Sequence, residues 1–399
     1  MQCGFAFLEA GAVRSKNTTN IIFKNVLDSL FAIVTYWSVG WALAYGPIHS
    51  KTLGLFFGQG EFFLSGCDNY PKFFFQFVFA ATATTIVGGA VAERCEIACY
   101  ITYCVVISAF VYPCLTHWGW AEGGWMKNGI PIEGINTTYV DFAGAGVVHV
   151  CGGMISLVAA YIMGPRIGRF PKDGEPSTEI KGHSVPFTAL GGFILIFGFL
   201  AFNGGSTGTI TTPGIGKVVA LAMINTIMSG AFAALTYLIV HFFVEGKWTL
   251  LYTINAALAG MVSACAACDQ SHPVALALTG IGSAIVYMWL CKMMTKLQID
   301  DPLDAFAVHA GGGFWGLISA CFFKDNGIFA SFFTHEGIKH AFWIGKLRVP
   351  AEVEIKVSLE ELASAYLDST EGEQNLHKRS VHYNPQQYEH PEHIKRSNA

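Results

Sequence analysis

Long apolar stretches separated by short polar segments dominate the chain. A helix needs about 20 apolar residues to cross a bilayer, and all but one of these stretches come close to that length. The long stretches lie at about 26–45, 73–92, 96–116, 142–163, 186–204, 217–243, 250–268, 273–295 and 303–323. A shorter apolar segment, 1–12, covers about half of a crossing. The pattern predicts an all-α polytopic membrane protein with about ten transmembrane helices.

The composition agrees with this class. Of the 399 residues, 52% are hydrophobic and 13% are charged, which is typical of a membrane protein and not of two or three soluble domains. The net charge of −4 is small and spread over many loops, which excludes a nucleic-acid partner. Most of the 11 Cys stand singly in apolar runs, without the spacing of a zinc site, and no phosphate-binding loop or nucleophile elbow is present. We therefore expect no metal, no cofactor and no enzymatic chemistry.

Positive charges indicate the orientation of the helices. Lys and Arg gather in alternate loops, which the positive-inside rule assigns to the cytoplasm, so the N-terminus is predicted to lie outside. The sequon that starts at Asn136 then faces outside, and we expect Asn136 to be glycosylated. The cationic residues of the alternate loops are Arg14, Lys16, Lys24, Arg94, Arg166, Arg169, Lys172, Lys181, Lys247, Lys292 and Lys296.

The chain repeats itself. The segment "CGFAFLEAGA" (3–12) is similar to "FGFLAFNGGS" (197–206), and "DFAGAGVVH" (141–149) is similar to "DPLDAFAVH" (301–309). We place the two repeats at about 1–164 and 185–323. Because each repeat holds five spans, an odd number, the second is inserted upside down relative to the first. Inverted repeats of this kind place a transport site where the halves meet, so we expect a central pore.

The C-terminal part has a different character. We assign residues 1–323 to a transmembrane transporter domain and 324–346 to an irregular connecting segment, because charged residues interrupt the latter's apolar pattern. Residues 347–399 are polar and mixed in charge, with little periodicity, which is typical of a disordered tail.

Two helices repeat an Asp-to-His spacing. Asp141 precedes His149 by eight residues, and Asp301 precedes His309 by the same interval. We expect each aspartate to cap the N-terminus of its helix, with Pro302 at the first helical position. Eight residues rise about 12 Å, which places both histidines near the middle of the membrane. The rings should be neutral there, since charge is costly in hydrocarbon, and should hydrogen-bond to each other.

Aromatic residues cluster near the outer ends of these helices. They include "HWGW" (117–120), Phe75, Phe79 and Phe202, with the hydroxyl of Ser206 close by in sequence. Two interpretations stay open at this point. The rings are either an interfacial belt with ordinary core packing, or they surround one vestibule as a cation–π site to which Ser206 adds an acceptor.

Five segments together resemble the ammonium transporter family, and its ammonium transporter branch in particular. In chain order they are "MQCGFAFLEAGAVRSKNTTNIIFKNVLD", "GGAVAERC", "DFAGAGVVHVCGG", "GFLAFNGGS" and "DDPLDAFAVHAGGG". The resemblance covers residues 1 to about 323. It implies a homotrimer with a separate pore in each eleven-helix subunit, located as a multi-pass protein in the plasma membrane.

The resemblance also implies roles for individual residues. Trp120, Phe79 and Ser206 correspond to the outer site that recruits ammonium, and Asp141 to the buried aspartate behind it. Phe79 and Phe202 correspond to the stacked gate. His149 and His309 correspond to the twin histidines of the pore. The implied mechanism is recruitment of the cation, loss of its water and its proton, and passage of ammonia along the histidines.

Two departures from the family pattern leave alternatives open. The family's first helix begins well before "MQCGF", and "GKLRVPAEVEIK" (345–356) is similar to the tail that follows an eleventh helix, which this chain lacks. One alternative is therefore a truncated, non-conducting or regulatory subunit that joins a trimer with full-length paralogues. A second alternative is a haem-binding redox protein, since two membrane histidines can ligate haem.

Overall fold

The computed structural model describes residues 1–132, 135–171, 177–324 and 327–328. Each predicted apolar stretch forms a helix. We number them α1 Gln2–Ala12, α2 Ser15–Tyr45, α3 Tyr70–Ala90, α4 Ile97–Asn128, α5 Ala145–Met163, α6 Val185–Thr207, α7 Ile215–Glu245, α8 Leu250–Ala264, α9 Pro273–Lys296 and α10 Phe306–Phe323. The predicted polar tail, and nearly all of the predicted connecting segment, lie outside the described residues.

The helical prediction is confirmed, with one small addition. Eight of the helices in the described part of the chain are long and apolar enough to cross a membrane, and α8 and α1 are shorter. Two three-residue strands, β1 Ile130–Ile132 and β2 Ile135–Thr137, form an antiparallel hairpin that pairs Ile130 with Thr137. The hairpin follows α4, at the end of the bundle that also carries Asp141. We call this end the outer end.

Helix α2 begins earlier than the apolar pattern predicts, at Ser15 instead of near residue 26. Its first turns contain buried polar residues that hydropathy alone assigns to a loop. Lys24 donates to the carbonyl oxygen of Cys95, and Asn25 donates to Glu9 Oε2 at 2.7 Å. These polar groups face neighbouring helices and not lipid, and their hydrogen bonds offset the cost of burying them inside the bundle.

The two halves of the bundle make the same helix contacts. In the first half α2 packs on α3 and α4, and α3 packs on α5. In the second half α7 packs on α8 and α9, and α8 packs on α10. The halves meet through equivalent helices, since α1 packs on α6 and α5 packs on α10. The predicted two five-helix repeats are therefore present in the structure.

The crossing of α5 and α10 depends on a glycine from each half. A Cβ atom on Gly153 would lie 2.3 Å from the backbone nitrogen of Ala310, and one on Gly313 would lie 2.4 Å from the carbonyl oxygen of Ala145. Both distances are too short for any other residue. Each glycine follows its helix's histidine by four residues, so the close approach brings the two histidine-bearing turns together.

The predicted starts of α5 and α10 were wrong by several residues. Asp141 is not the N-cap residue, because α5 begins at Ala145 after Gly144, whose φ is +97°. Pro302 is not the first helical residue either, because α10 begins at Phe306. In both places the aspartate side chain reaches forward across a turn to the helix amides, so that capping is kept while the helix starts later.

An ionic cluster joins the loops at the opposite, inner end. Arg166 contacts Asp300 (Nε–Oδ2 2.7 Å) and Glu93 (Nη1–Oε2 3.0 Å), and Arg14 contacts Glu93 at 3.0 Å. Burial by itself raises the pKa of Glu93, but hydrogen bonds from Arg14, Arg166 and Asn17 outweigh burial and lower the pKa to about 2. The cluster ties together segments from both halves of the bundle.

Candidate functional site

The carboxylate of Asp141 organises the outer end of α5. Its Oδ1 accepts from the amides of Gly144 and Ala145, and its Oδ2 accepts from the amides of Gly146 and Val147, all within 2.7–3.0 Å. The hydroxyl of Tyr139 also donates to Oδ2 at 2.9 Å. Asp141 is buried, and both of its carboxylate oxygens already accept hydrogen bonds from other residues of the chain. The side chain therefore acts as a structural anchor for the wall of the site.

Trp120 is held in place by the same anchor. Its indole Nε1 donates to the backbone carbonyl of Asp141 at 2.7 Å, which leaves the ring faces free to make contacts. The rings of Trp120 and Phe79 meet edge to face, with 5.9 Å between ring centroids and 75° between planes. Phe79 in turn stacks on Phe202 at 4.0 Å and 20°. Three helices, α3, α4 and α6, thus each contribute one ring to a continuous aromatic wall.

An open pocket of about 400 Å³ lies above this wall. Phe75, Phe79, Trp120, Asp141 and Ser206 all contribute to its lining. The hydroxyl of Ser206 donates to the carbonyl of Phe202 at 2.7 Å, so its oxygen retains a lone pair for a second partner. The aromatic residues and Ser206 thus lie around one pocket in the structure.

Sequence reasoning missed the other polar residues of this pocket. Lys72 lies in its wall with Nζ 4.0 Å from the centroid of Tyr45, and Gln76 and Tyr139 also line it. No motif marks these side chains. Lys72 stands in the first turn of an apolar helix, where a lysine is commonplace at a membrane interface, so its place beside the aromatic wall depends on tertiary packing.

His149 and His309 face each other below the stacked phenylalanines. Their Nδ1 atoms are 3.1 Å apart, and the rings are nearly parallel, with centroids 5.2 Å apart and 12° between planes. One Nδ1 must carry the proton that the other accepts. Both residues are buried, and each comes from a different half of the chain. The structure brings together the two rings that the repeat predicts to meet.

Aromatic rings surround the histidine pair. The ring centroids of Phe199 and Phe202 lie 5.6 Å and 5.5 Å from that of His149, and the ring centroid of Phe5 lies 6.1 Å from that of His309. His149 Nε2 is buried and has no hydrogen-bond partner among the described residues. A buried polar nitrogen of this kind suits a ligand that offers a hydrogen bond.

The geometry argues against the haem alternative. An iron ligated by both rings would hold the two nitrogens about 4 Å apart, because metal–nitrogen bonds are about 2 Å long. The observed 3.1 Å leaves no space for a metal between the Nδ1 atoms. In the part of the chain that the structure describes, no group of three His, Cys, Asp or Glu is placed to hold a metal ion.

A narrow cavity of about 20 Å³ continues from His309 toward the inner end. Its walls are mostly apolar, with Phe5, Leu8 and Leu258 among them, and two polar residues, Glu9 and Asn255, also reach it. The aromatic wall, the histidine pair and this cavity follow one another through the bundle. The predicted modification site is not part of this series: Asn136 lies in β2, and its side chain is outside the described part of the structure.

Comparison with known proteins identifies relatives along most of the chain. A family model described as the Ammonium Transporter Family matches residues 1–347. The putative ammonium transporter 1 of Caenorhabditis elegans is 64% identical over 329 residues, which make up 82% of this chain and 61% of that protein. This chain thus spans about three fifths of the length of that relative.

Two solved structures share the fold. A structure called Sensor Amt Protein matches with a TM-score of 0.74 and 34% identity, over 81% of this chain and 79% of that one. Candida albicans Mep2 matches with a TM-score of 0.71 and 27% identity, over 81% of this chain and 70% of that one.

Proposed function

The chain belongs to the ammonium transporter family, and from that membership we propose that it carries ammonium across a membrane as ammonia, through a pore between its two halves. The observation that supports this best is the buried pair of His149 and His309, 3.1 Å apart between Nδ1 atoms. The pair lies between an outer aromatic pocket and an inner cavity.

Recruitment takes place in the outer pocket. Trp120 and Phe79 present π-faces and Ser206 presents an oxygen, which together attract a small cation without a formal negative charge. Asp141 supports this site from behind, since its carboxylate is committed to the amides of α5. A site without a free carboxylate holds the cation weakly enough to release it.

Phe79 and Phe202 form the gate. Their rings stack at 4.0 Å and close the floor of the pocket, so the substrate enters only when they move apart. Passing two apolar rings strips water from the ammonium ion. Loss of solvation makes a charge costly, and the ion can avoid this cost by giving up a proton.

The histidine pair conducts the neutral product. Ammonia both donates and accepts hydrogen bonds, and the unpartnered Nε2 of His149 offers it one in an otherwise aromatic passage. Potassium has no proton to lose and would remain a bare charge between phenylalanines. The same passage therefore excludes potassium while it conducts ammonia.

Three further properties belong to the proposal. The chain is a multi-pass membrane protein, and we place it in the plasma membrane with the pocket outside, where Asn136 would be glycosylated. We also propose assembly as a trimer, either of identical chains or with full-length paralogues, each subunit having its own pore.

Uptake of labelled methylammonium into cells that lack their own ammonium transporters tests the proposal. The wild-type chain should transport, and His149→Ala combined with His309→Ala should reduce uptake to the level of cells without the protein. His272→Ala is the matched control: it removes an exposed histidine at the N-cap of α9 that lines neither the outer pocket nor the inner cavity, and it should retain uptake.

Two results would count against the proposal in different ways. Normal uptake by the double variant would mean that the substrate does not pass the histidines. No uptake by a folded wild-type chain at the cell surface would reject transport itself. Co-expression with a full-length relative would then show whether the chain lowers its partner's uptake, as a non-conducting subunit would.

A further inference from the structure

The carboxyl group of Glu9 lies on the inner part of the pore. Helix α1 carries Phe5 and Glu9 on the same face, one turn apart. Phe5 contacts the ring of His309, and both Phe5 and Glu9 line the small cavity next to that ring. Because α1 runs from the level of the histidines to Arg14 at the inner end, Glu9 is one turn further inward than His309.

The carboxyl group is enclosed. Glu9 is 2% exposed, and Asn25 donates to its Oε2 at 2.7 Å. Helix α3 packs closely on it at a glycine: a Cβ atom on Gly88 would lie 3.3 Å from Glu9 Oε1. No ion pair to Glu9 is found among the described residues.

Burying an ionised carboxyl group without an ion pair is costly, so Glu9 should be neutral and carry a proton. The cavity beside it has a volume of about 20 Å³, which is enough for one molecule the size of water or ammonia. Asn255, which also lines the cavity, donates to Asp304 Oδ2 at 3.3 Å. Asp304 also lines a wider pocket of about 460 Å³ with Lys292 and Lys296, so one hydrogen bond links the lining of the small cavity to that of a wider pocket.

We propose that Glu9 forms an inner ammonium site, at which its carboxyl group returns a proton to ammonia that has passed the histidines. The inference rests on the proposed function. In the step, the lone pair of ammonia takes the proton of the Glu9 O–H. An N–H bond forms, the O–H bond breaks, and a carboxylate beside an ammonium ion results. The cation leaves inward, and hydronium from the inner solution restores the acid.

This assignment makes the two ends of the pore chemically different. The outer pocket attracts the cation with the π-faces of its aromatic rings, and the carboxylate of Asp141 is already hydrogen-bonded to backbone amides. The inner cavity has a carboxyl group with a single neutral partner shown, Asn25. A proton lost outside can thus be replaced inside by a residue of the chain, without a proton crossing the phenylalanine gate.

Glu9→Gln in the full chain, reconstituted in proteoliposomes, tests the inference. The glutamine oxygen can still accept from Asn25, so the fold should be kept. The maximal rate of ammonium uptake should fall about tenfold or more, as expected for loss of a proton-transfer group. The half-saturating outer concentration should stay the same, because the outer pocket is unchanged. Glu9→Asp should restore part of the rate.

The inner pH provides a second readout. The titratable or charged groups that face Glu9 are Lys24 and Asp28 from α2, Tyr100 from α4 and His309 from α10. The maximal rate of the wild type should depend on the inner pH, and that of Glu9→Gln should not. The control is Glu61→Gln, a carboxyl that accepts from the indole of Trp41, does not line the cavity and is not among the groups that face Glu9; it should keep the wild-type dependence.

Infrared difference spectra separate failure of this inference from failure of transport. Adding ammonium should change a protonated-carboxyl band in the wild type and in Glu61→Gln, and the change should be absent from Glu9→Gln. If the wild type transports and Glu9→Gln matches it in rate and pH dependence, the inference is wrong. If the wild type does not transport, the ammonium-dependent band of the wild type still tests the inner site. Absence of that band would show that Glu9 does not exchange a proton with ammonia.

Discussion

The helices α5 and α10 share the same Asp-to-His spacing, but the carboxylates of their two aspartates are bound differently. In α5 both carboxylate oxygens of Asp141 are saturated, by four backbone amides and the hydroxyl of Tyr139. In α10, Asp301 Oδ2 accepts from the amide of Phe306 at 2.8 Å, and Oδ1 is buried without a partner among the described residues. Equal spacing therefore produces equal placement of the histidines but not equal capping.

Asp300, the residue before Asp301, explains why α10 is capped less completely than α5. Among the described residues of the inner end, the arginines form their ion pairs with Asp300 and not with Asp301, and Arg166 binds both oxygens of Asp300, at 2.7 and 3.0 Å. The loop before α10 is thus held from one position earlier in the chain. Burial, and then the nearby carboxylate of Asp304, raise the pKa of Asp301 to about 7. The start of α5 is therefore anchored by hydrogen bonds from its own backbone amides, whereas the start of α10 is anchored by the ionic cluster at Asp300.

Breaking the ionic cluster should have the largest effect. Arg166→Gln leaves Asp300 and Glu93 as buried charges without their main partner, and should lower the free energy of unfolding by about 3–5 kcal/mol. Arg169→Gln is the control, since its 3.6 Å contact with Asp300 is longer, and it should cost much less. Unfolding in SDS titrations of the detergent-solubilised protein measures both. Equal losses would mean that Arg166 is not the main anchor of the loop.

Removing the carboxylate of Asp141, which caps α5, should have the next largest effect on the free energy of unfolding. Asp141→Ala takes the acceptor away from four amides and Tyr139, and should lower the free energy of unfolding by about 3 kcal/mol. Asp301→Ala loses one amide contact and should cost about 1 kcal/mol. The same titrations compare the two variants. A larger loss in Asp301→Ala would reverse the proposed difference between the helices.

The third effect is a pH dependence of stability at Asp301. A carboxyl with a raised pKa binds its proton more tightly in the folded state, so it lowers stability progressively as pH rises from its ordinary range to about 7. Asp301→Asn removes this loss, and its melting temperature relative to the wild type should rise between about pH 5 and about pH 8. Asp141→Asn should remain below the wild type throughout. A constant difference for Asp301→Asn would show that Asp301 does not titrate in this range.

Some parts of the site could be predicted from the amino-acid sequence, because they are local or repeated. Hydropathy located the ten helices to within a few residues at most boundaries, since lipid requires an uninterrupted apolar run. The repeated Asp-to-His spacing predicted that His149 and His309 meet, since equal helical rise from opposite ends leads to the same depth.

Other parts could not be predicted in this way. Hydropathy placed the polar start of α2 in a loop, because it does not register that Lys24 and Asn25 face other helices. Likewise, the motif did not show that α5 and α10 begin only at Ala145 and Phe306, because a side chain that reaches across a turn caps as well as one at the helix start.

The sequence by itself determined the class of the protein, its twofold repeat and the depth of its two histidines, because apolar length and residue spacing are properties of continuous chain. Only the tertiary structure decided which charges are paired and which polar groups reach the pore. Glu93, Arg166 and Asp300 come from three separate loops, and Glu9 reaches the cavity of His309 from the other end of the chain. Electrostatic energies depend on distance in space, which spacing along the chain does not encode for segments this far apart.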